Sequence, residues 1–287
     1  MVGKIISIIN GKYLIYSDGI TYSSFIKGIF RYKKERFLVG DNVVFDDENF
    51  AIQAKLERKN ELVRPLACNI DQIFIVMSMK EPNFSKLLLY KFITYVNMNN
   101  IPVKVILSKC DLLNDDSIIN ELISELNNLG IDVFSLSKNN CDEIDLIKKE
   151  LKDKTSIFMG QTGVGKSSLI NLIDPLYDRK IGEYSTALGR GKHQTKEVIL
   201  LPYNNGFIGD TPGFSSIDLN IYKEDLSTYF PGFNKYYNEC YFSNCLHLNE
   251  KECMIKKQIE NGVLSKDSYT IYLKLLDELP YKKERYK

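Results

Sequence analysis

This 287-residue chain has almost no excess of either charge: 38 Lys and Arg stand against 37 Asp and Glu, a formal net charge of +1. Bulk electrostatics therefore give no reason to expect nucleic acid as a partner. The distribution says more. Residues 1–64 carry 11 bases against 8 acids, residues 226–287 carry 10 against 8, and residues 65–225 carry 17 against 21. Two mildly basic ends flank an acidic centre, which suits either an anionic partner at the ends or ordinary solvated faces. Long apolar runs are missing too. The longest, Ile73–Met77, falls far short of the roughly 20 residues that span a bilayer. The first residues lack the apolar core of a secretory signal, so a cytoplasmic protein with no membrane partner is expected. Tryptophan is absent, and histidine occurs only as His193 and His247. Internal repeats and low-complexity linkers are also absent. Six cysteines in a cytoplasmic chain argue for metal or free thiols rather than disulfides.

What is present is organised around Gly160-Gln161-Thr162-Gly163-Val164-Gly165-Lys166-Ser167, the pattern G-x-x-x-x-G-K-[ST]. It comes after the apolar run Ile157-Phe158-Met159 and opens Ser168-Leu169-Ile170, which reads as buried strand, turn and helix start. Glycines let successive N–H groups point inward, and the helix N-terminus completes a phosphate cradle. Lys166 is placed to reach β- and γ-phosphates, and the Ser167 hydroxyl to ligate Mg²⁺.

Before this stretch the chain changes character twice. Residues 1–65 hold short β-rich runs at Lys4–Ile9, Tyr13–Ser17, Phe37–Phe45 and Phe50–Leu56, separated by turn residues. Even spacing of short strands predicts a small OB-type barrel. Aromatics and bases mix in Phe25–Lys34, which fits either an RNA-stacking face or a strand with its aromatics in the core. Arg64-Pro65 marks the exit. From Ile70 onward, long apolar strands (Ile73–Met77, Val103–Leu107, Ile131–Phe134) alternate with helical stretches (Phe84–Val96, capped by Asn83, and Ile118–Leu129). This is the rhythm of a parallel sheet covered on both faces.

Loops after such strands share one edge, where ligands bind. Ser108-Lys109-Cys110-Asp111 offers a carboxylate for the guanine N1 and N2 donors and a lysine stem to lie over the ring. Ser135-Leu136-Ser137-Lys138 offers backbone donors for the guanine O6. Adenine presents the opposite donor pattern, so the pair selects GTP. Downstream, Asp210-Thr211-Pro212-Gly213 supplies a carboxylate to hold Mg²⁺ through water and a Gly213 N–H to sense the γ-phosphate. Between them, Gly182–Lys196 reads as a loop that γ-phosphate and Mg²⁺ would order. Near the end, Cys240, Cys245, His247 and Cys253 form a Cys₃His set suited to one structural Zn²⁺, with no position left for water. Ser265 or Ser268 then caps a helix carrying Tyr269, Tyr272, Leu273, Leu276 and Leu279 on one face, with a basic tail to residue 287.

The guanine loops precede the P-loop here, the reverse of the usual GTPase order. With that order, the chain resembles the circularly permuted RsgA (YjeQ) GTPase family of small-ribosomal-subunit biogenesis factors. Val39-Gly40-Asp41-Asn42-Val43, Arg64-Pro65, Asn69-Ile70-Asp71-Gln72 and Gly189-Arg190-Gly191-Lys192-His193 also match. The resemblance spans nearly the whole chain. Ser108 stands where the family usually has Asn, and Gln194-Thr195-Lys196 stands in place of a threonine run. Thr195 is therefore the first candidate for the Mg²⁺-binding switch threonine and Thr186 the second.

The expected architecture is an OB-type barrel (1–65), a permuted GTPase domain on a doubly wound parallel sheet (66–225) and a zinc-binding helical domain (226–287). The expected reaction is hydrolysis of GTP with Mg²⁺. Lys166 stabilises phosphate charge, while Ser167, Thr195 and Asp210 serve the metal. Many GTPases place Gln after D-x-x-G to position water; Phe214 stands there, so turnover should depend on a partner, with His193 a candidate to orient the water. The resemblance implies that this partner is the small ribosomal subunit, with barrel and zinc domain on its rRNA, GTP favouring docking and hydrolysis favouring release. A monomer is expected. A nucleotide-gated RNA-binding module, another permuted P-loop GTPase and an ATP-using P-loop kinase are the alternatives.

Overall fold

The computed structural model describes residues 1–9, 11–137, 142–187, 198–214 and 216–282. Five strands come first: β1 (Val2–Ile9), β2 (Lys12–Ser17), β3 (Ile20–Ile26), then β4 (Asn42–Asp46) and β5 (Ala51–Lys55), after the short helix α1 (Gly28–Tyr32). They close into a barrel in the order β1-β2-β3-β5-β4. Ile5, Ile15, Val43, Phe45 and Ile52 fill it. The aromatic–basic stretch is not one strand. It ends β3 and then turns helical, because Ile26 and Phe30 lie four residues apart and both pack on the barrel core. Phe30 meets Phe37 edge-on at 5.4 Å, whereas Phe25 and Tyr32 are exposed. The aromatics of that stretch thus divide between core and surface. The run Phe37–Phe45 likewise yields a strand only from Asn42.

A buried carboxylate fastens the barrel to the sheet domain. Asp41, fully buried, accepts from Arg58 Nε at 2.7 Å, Arg58 Nη2 at 2.8 Å and the Leu38 N–H at 2.7 Å. These bonds hold the Arg58 guanidinium above its ordinary pKa. The Cys68 thiol donates to the same carboxylate at 3.1 Å, and Asn69 Nδ2 donates to the Gly40 carbonyl at 2.9 Å. Cys68 belongs to the small hairpin of β6 (Glu61–Leu62) and β7 (Ala67–Cys68) that joins barrel and sheet.

The sheet has six strands: β8 (Gln72–Ser78), β9 (Val103–Ser108), β10 (Asp132–Ser135), β11 (Thr155–Gly160), β12 (Ile199–Tyr203) and β13 (Gly206–Asp210). Its order is β10-β9-β8-β11-β13-β12. All neighbours are parallel except the edge strand β12, which pairs antiparallel with β13. Alternation sends Ile73, Ile75, Met77, Ile157 and Met159 to one face. Phe74, Val76 and Phe158 go to the other, where Phe74 and Phe158 stack at 5.1 Å. Helices α2 (Lys86–Met98) and α3 (Ser117–Asn128) cover the first face. Helices α4 (Asp142–Leu151), α5 (Lys166–Ile173) and α6 (Tyr177–Ala187) cover the second. The cap of α2 is Ser85 rather than Asn83: its hydroxyl accepts from the Leu88 N–H at 3.3 Å. Residues 182–187 continue α6, so the first part of the expected loop is helix.

The last segment adds α7 (Leu226–Tyr229), α8 (Met254–Glu260) and α9 (Lys266–Glu278), the last capped by Ser265. Phe230, Phe233, Ile255, Tyr272 and Leu276 share one core with α2 and α3. The barrel packs on the β12–β13 edge of the sheet, with Tyr16 edge-on to Phe207 at 5.6 Å and Ile6, Ile9 and Leu14 against Leu200. Among the described residues, no helix is long and apolar enough to cross a membrane.

Asp41→Ala takes the acceptor from the buried Leu38 N–H and Cys68 thiol, while Glu61 and the Arg36 carbonyl still hold Arg58. The substitution should therefore cost about 2 kcal/mol in chemical unfolding; a loss under about 0.5 kcal/mol would show that these donors need no buried acceptor.

Candidate functional site

The strand order turns at β8 and β11: β9 and β10 lie to one side, β13 and β12 to the other. A crevice forms outside the carboxyl ends of strands at such a switch point. The octet 160–167 sits there, at the end of β11. Gly163 and Gly165 take φ of 81° and 95°, the left-handed region that turns consecutive amides inward. Val164 is buried between them. Lys166 is buried, and its ammonium donates to the Gly160 carbonyl at 3.0 Å and the Gln161 carbonyl at 2.8 Å, folded over the cradle. Burial lowers its pKa, against the opposing pull of Asp210. Gln161, Thr162 and Ser168 complete the loop and helix start, with Thr162 and Ser168 exposed.

Asp210, at the end of β13, is buried. Its Oδ2 accepts from Ser167 Oγ at 2.8 Å and from the Tyr177 hydroxyl at 3.0 Å. Its Oδ1 is buried with no hydrogen-bond partner among the described residues. An open carboxylate oxygen beside a serine hydroxyl is the donor set a hard divalent cation takes. These residues fit Mg²⁺. Beyond Asp210, Thr211 Oγ1 donates to the Phe158 carbonyl at 2.9 Å and the Phe214 N–H to the Gly160 carbonyl at 3.1 Å. Gly213 lies so close to the P-loop that a Cβ there would stand 2.4 Å from the Thr162 nitrogen.

The guanine-type loops meet this cradle from the other side. Ser108 Oγ donates to the Val164 carbonyl at 2.6 Å, bonding the loop after β9 to the P-loop itself. Lys109, at φ 57°, donates to the Gly163 carbonyl at 3.0 Å and to the Glu81 carbonyl. Asp111, Ser135 and Ser137 line one open pocket of about 380 Å³. Leu136 N donates to the Leu107 carbonyl at 2.7 Å, holding the β10 loop beside the β9 loop.

Four further side chains converge in the C-terminal segment. The ligand atoms of Cys240, Cys245, His247 and Cys253 lie within 4.8 Å of one another. His247 Nδ1 is 3.3 Å from Cys253 Sγ and 3.6 Å from Cys240 Sγ. Zn–S and Zn–N bonds of ordinary length in a tetrahedron separate N from S by roughly 3.5 Å, so the cluster is compact enough for that ion. Burial pushes the Cys245 thiol up to about 12 and His247 down to about 4. Tyr269 donates to the His247 carbonyl at 2.6 Å, tying the cluster to α9.

His193, Thr195 and Gly189–Lys192 lie outside the described residues, as do Lys138, Cys141 and the tail from Lys283. Thr186 falls on α6, and its side chain is also outside them. The residue that motif reasoning misses is Tyr177. The apolar spacing Leu169, Ile170, Ile173, Tyr177 marks its ring for the core, but nothing local aims its hydroxyl at Asp210.

A P-loop at the switch point, closed by a D-x-x-G strand and entered by guanine-type loops that precede it in sequence, defines a circularly permuted GTPase. Known proteins of the same build match it. The family model for the RsgA GTPase matches residues 55–220 and that for the RsgA N-terminal domain residues 2–51. Small ribosomal subunit biogenesis GTPase RsgA 2 of Oceanobacillus iheyensis is 39% identical over 291 residues, covering 99% of each chain. Small ribosomal subunit biogenesis GTPase RsgA of Bacillus subtilis is 38% identical over 296 residues, again covering 99% of each. Among solved structures, YloQ, a circularly permuted GTPase, superposes with a TM-score of 0.82 at 34% identity, over 99% of this chain and 96% of that one. YjeQ from Thermotoga maritima gives 0.82 at 30% identity, over 97% and 98%. The chain belongs to the RsgA GTPase family.

The contact of Gly213 with Thr162 leaves no room for a side chain. Gly213→Ala should push the segment after β13 off the P-loop and slow GTP turnover about 10²-fold in a phosphate-release assay. Unchanged turnover would show that the close approach is dispensable.

Proposed function

We propose that this GTPase hydrolyses GTP with Mg²⁺ as a late assembly factor of the small ribosomal subunit, stimulated by the subunit and released after hydrolysis. The observation that carries the enzymatic half is the meeting of Ser167 and Asp210 beneath the P-loop, with Asp210 Oδ1 left open. The ribosomal half rests on the relatives, each named as a small ribosomal subunit biogenesis GTPase.

Bound Mg²⁺ would neutralise charge building on the β- and γ-phosphates. The chain's own residues position and stabilise. Lys166 exchanges its two carbonyl partners for phosphate oxygens. Ser167 and Asp210 would hold the metal, with Thr195 from the loop expected over Gly182–Lys196. Asp111 selects the guanine edge, Lys109 braces the base loop against the P-loop, and backbone at Ser135 and Ser137 serves the guanine O6. Gly213 N–H reads the γ-phosphate. Phe214 offers no amide side chain to orient water, and its ring packs into the core shared with the C-terminal helices. Water positioning therefore falls to His193 or to the partner, which makes slow unaided turnover part of the design.

The working units are a barrel over 1–65, a GTPase domain over 66–225 and a zinc domain over 226–287, in a cytoplasmic monomer. The exposed Phe25 and Tyr32, near Lys27, Lys33 and Lys34, give the barrel a surface for rRNA. Zinc on Cys240, Cys245, His247 and Cys253 is structural: four protein ligands leave no open position.

Phosphate release from GTP should rise about 10²-fold or more with purified small subunits, as when a partner completes such a site in trans, and not with large subunits. Lys166→Ala gives the blank. Slow turnover indifferent to both subunits would remove the ribosomal assignment and favour a nucleotide-gated RNA-binding module. Purified protein should carry one zinc per chain by elemental analysis. Acidification should release it as the thiolates take up protons. Cys245→Ser protein that keeps stoichiometric zinc and an unchanged melting temperature would contradict the structural site.

A further inference from the structure

We infer that Tyr177 is a positioning residue for the metal carboxylate: its buried hydroxyl holds Asp210 in the orientation that binds Mg²⁺ together with nucleotide. The inference rests on reading Asp210 as the metal-side carboxylate.

Two donors converge on the same oxygen. Ser167 Oγ and the Tyr177 hydroxyl both reach Asp210 Oδ2, at 2.8 and 3.0 Å, and no described group bonds Oδ1. A carboxylate gripped at one oxygen by two donors from different helices is fixed in rotation about its last bond. The other oxygen is then aimed. Ser167 alone is a poor fixture, because it is itself placed to serve the metal. Tyr177 is the donor with no other task.

The ring is built in rather than incidental. Tyr177 is 4% exposed and lies in the core under the second face of the sheet with Ile170, Ile173 and Ile208. The turn that presents it is tied at several points. Tyr177 N–H donates to the Asp174 carbonyl at 2.9 Å, and Leu176 N–H to Asp174 Oδ1 at 3.1 Å. Lys180 pairs with Asp174, and Asn171 Nδ2 donates to Asp178 at 2.8 Å across the turn. Helix α5 thus carries the metal-side serine at its start and fixes the tyrosine just beyond its end. Both return to one carboxylate on β13. Groups that orient metal ligands in this way are worth about 10- to 100-fold in metal affinity.

The test reads binding, not turnover. Fluorescently labelled GDP is titrated into the full-length protein at a series of magnesium chloride concentrations and in magnesium-free buffer without chelator, which leaves the zinc site loaded. For Tyr177→Phe, which deletes only the hydroxyl, the magnesium concentration giving half the affinity gain should rise about tenfold, with affinity in magnesium-free buffer unchanged. Tyr177→Leu should shift it by the same factor, since the hydroxyl is the effective group. Thermal melting in magnesium-free buffer reports whether each variant is folded. A shift in Tyr177→Leu alone would assign the effect to ring packing and overturn the inference. So would equal weakening with and without magnesium in Tyr177→Phe. Asp210→Asn separates the two layers. If it abolishes the magnesium effect while Tyr177→Phe leaves it intact, the tyrosine has no positioning role and the metal carboxylate stands. If wild-type affinity ignores magnesium, both fall.

Discussion

Parallel strands send every succeeding loop to the same edge of a sheet, and this molecule depends on that constraint. The chain visits β8, then β9 and β10 on one side, and returns to β11 and β13 on the other. At the turning point the helices on either side diverge and leave a crevice. The P-loop enters it from β11, the D-x-x-G strand from β13 and the guanine-type loops from β9 and β10. Order along the chain is immaterial to this meeting, which is why a permuted sequence assembles an ordinary GTPase site. The bonds across the crevice then fix its parts to one another. Ser108 to the Val164 carbonyl closes one side, and Ser167 to Asp210 closes the other.

The same geometry determines what a change at the γ-phosphate would move. Gly213 touches Thr162 of the P-loop, and the chain beyond it inserts Phe214, Ile217 and Leu219 into the core shared with the C-terminal helices. Upstream, β13 presents Phe207 to Tyr16 and Lys4 of the barrel. Strand β13 and the segment after it are therefore packed against both flanking regions at once. The C-terminal segment has no separate core of its own among the described residues: Phe230, Tyr272 and their neighbours are continuous with α2 and α3. Displacement at Asp210–Gly213 meets dense packing on either side, and close-packed interiors transmit displacement rather than absorb it.

Motif residues that act through contiguous backbone were legible in the sequence. A phosphate cradle is built from eight successive residues, and the Cys₃His cluster from a stretch of fourteen, Cys240 to Cys253. Local spacing there is nearly the whole geometry. The unbroken apolar runs of β8 and β11 also announced a sheet buried on both faces. The stretch Phe25–Lys34 was less clear, because an aromatic–basic mixture fits a strand and a helix alike. The structure resolves it through the four-residue spacing of Ile26 and Phe30 on the barrel core.

The family, the barrel-then-sheet architecture and the identity of the chemical groups can be read from the amino-acid order, because they come from local pattern and residue type. Tertiary structure alone decided which group faces which. Ser108 finds the Val164 carbonyl 56 residues away, Tyr177 finds Asp210 33 residues away, and Asp41 finds Arg58 17 residues away. Such pairings have no signature in either partner's neighbourhood. They exist only because closing the barrel and winding the sheet removes water from both partners, and a buried polar group must then be satisfied by whatever the fold has brought beside it.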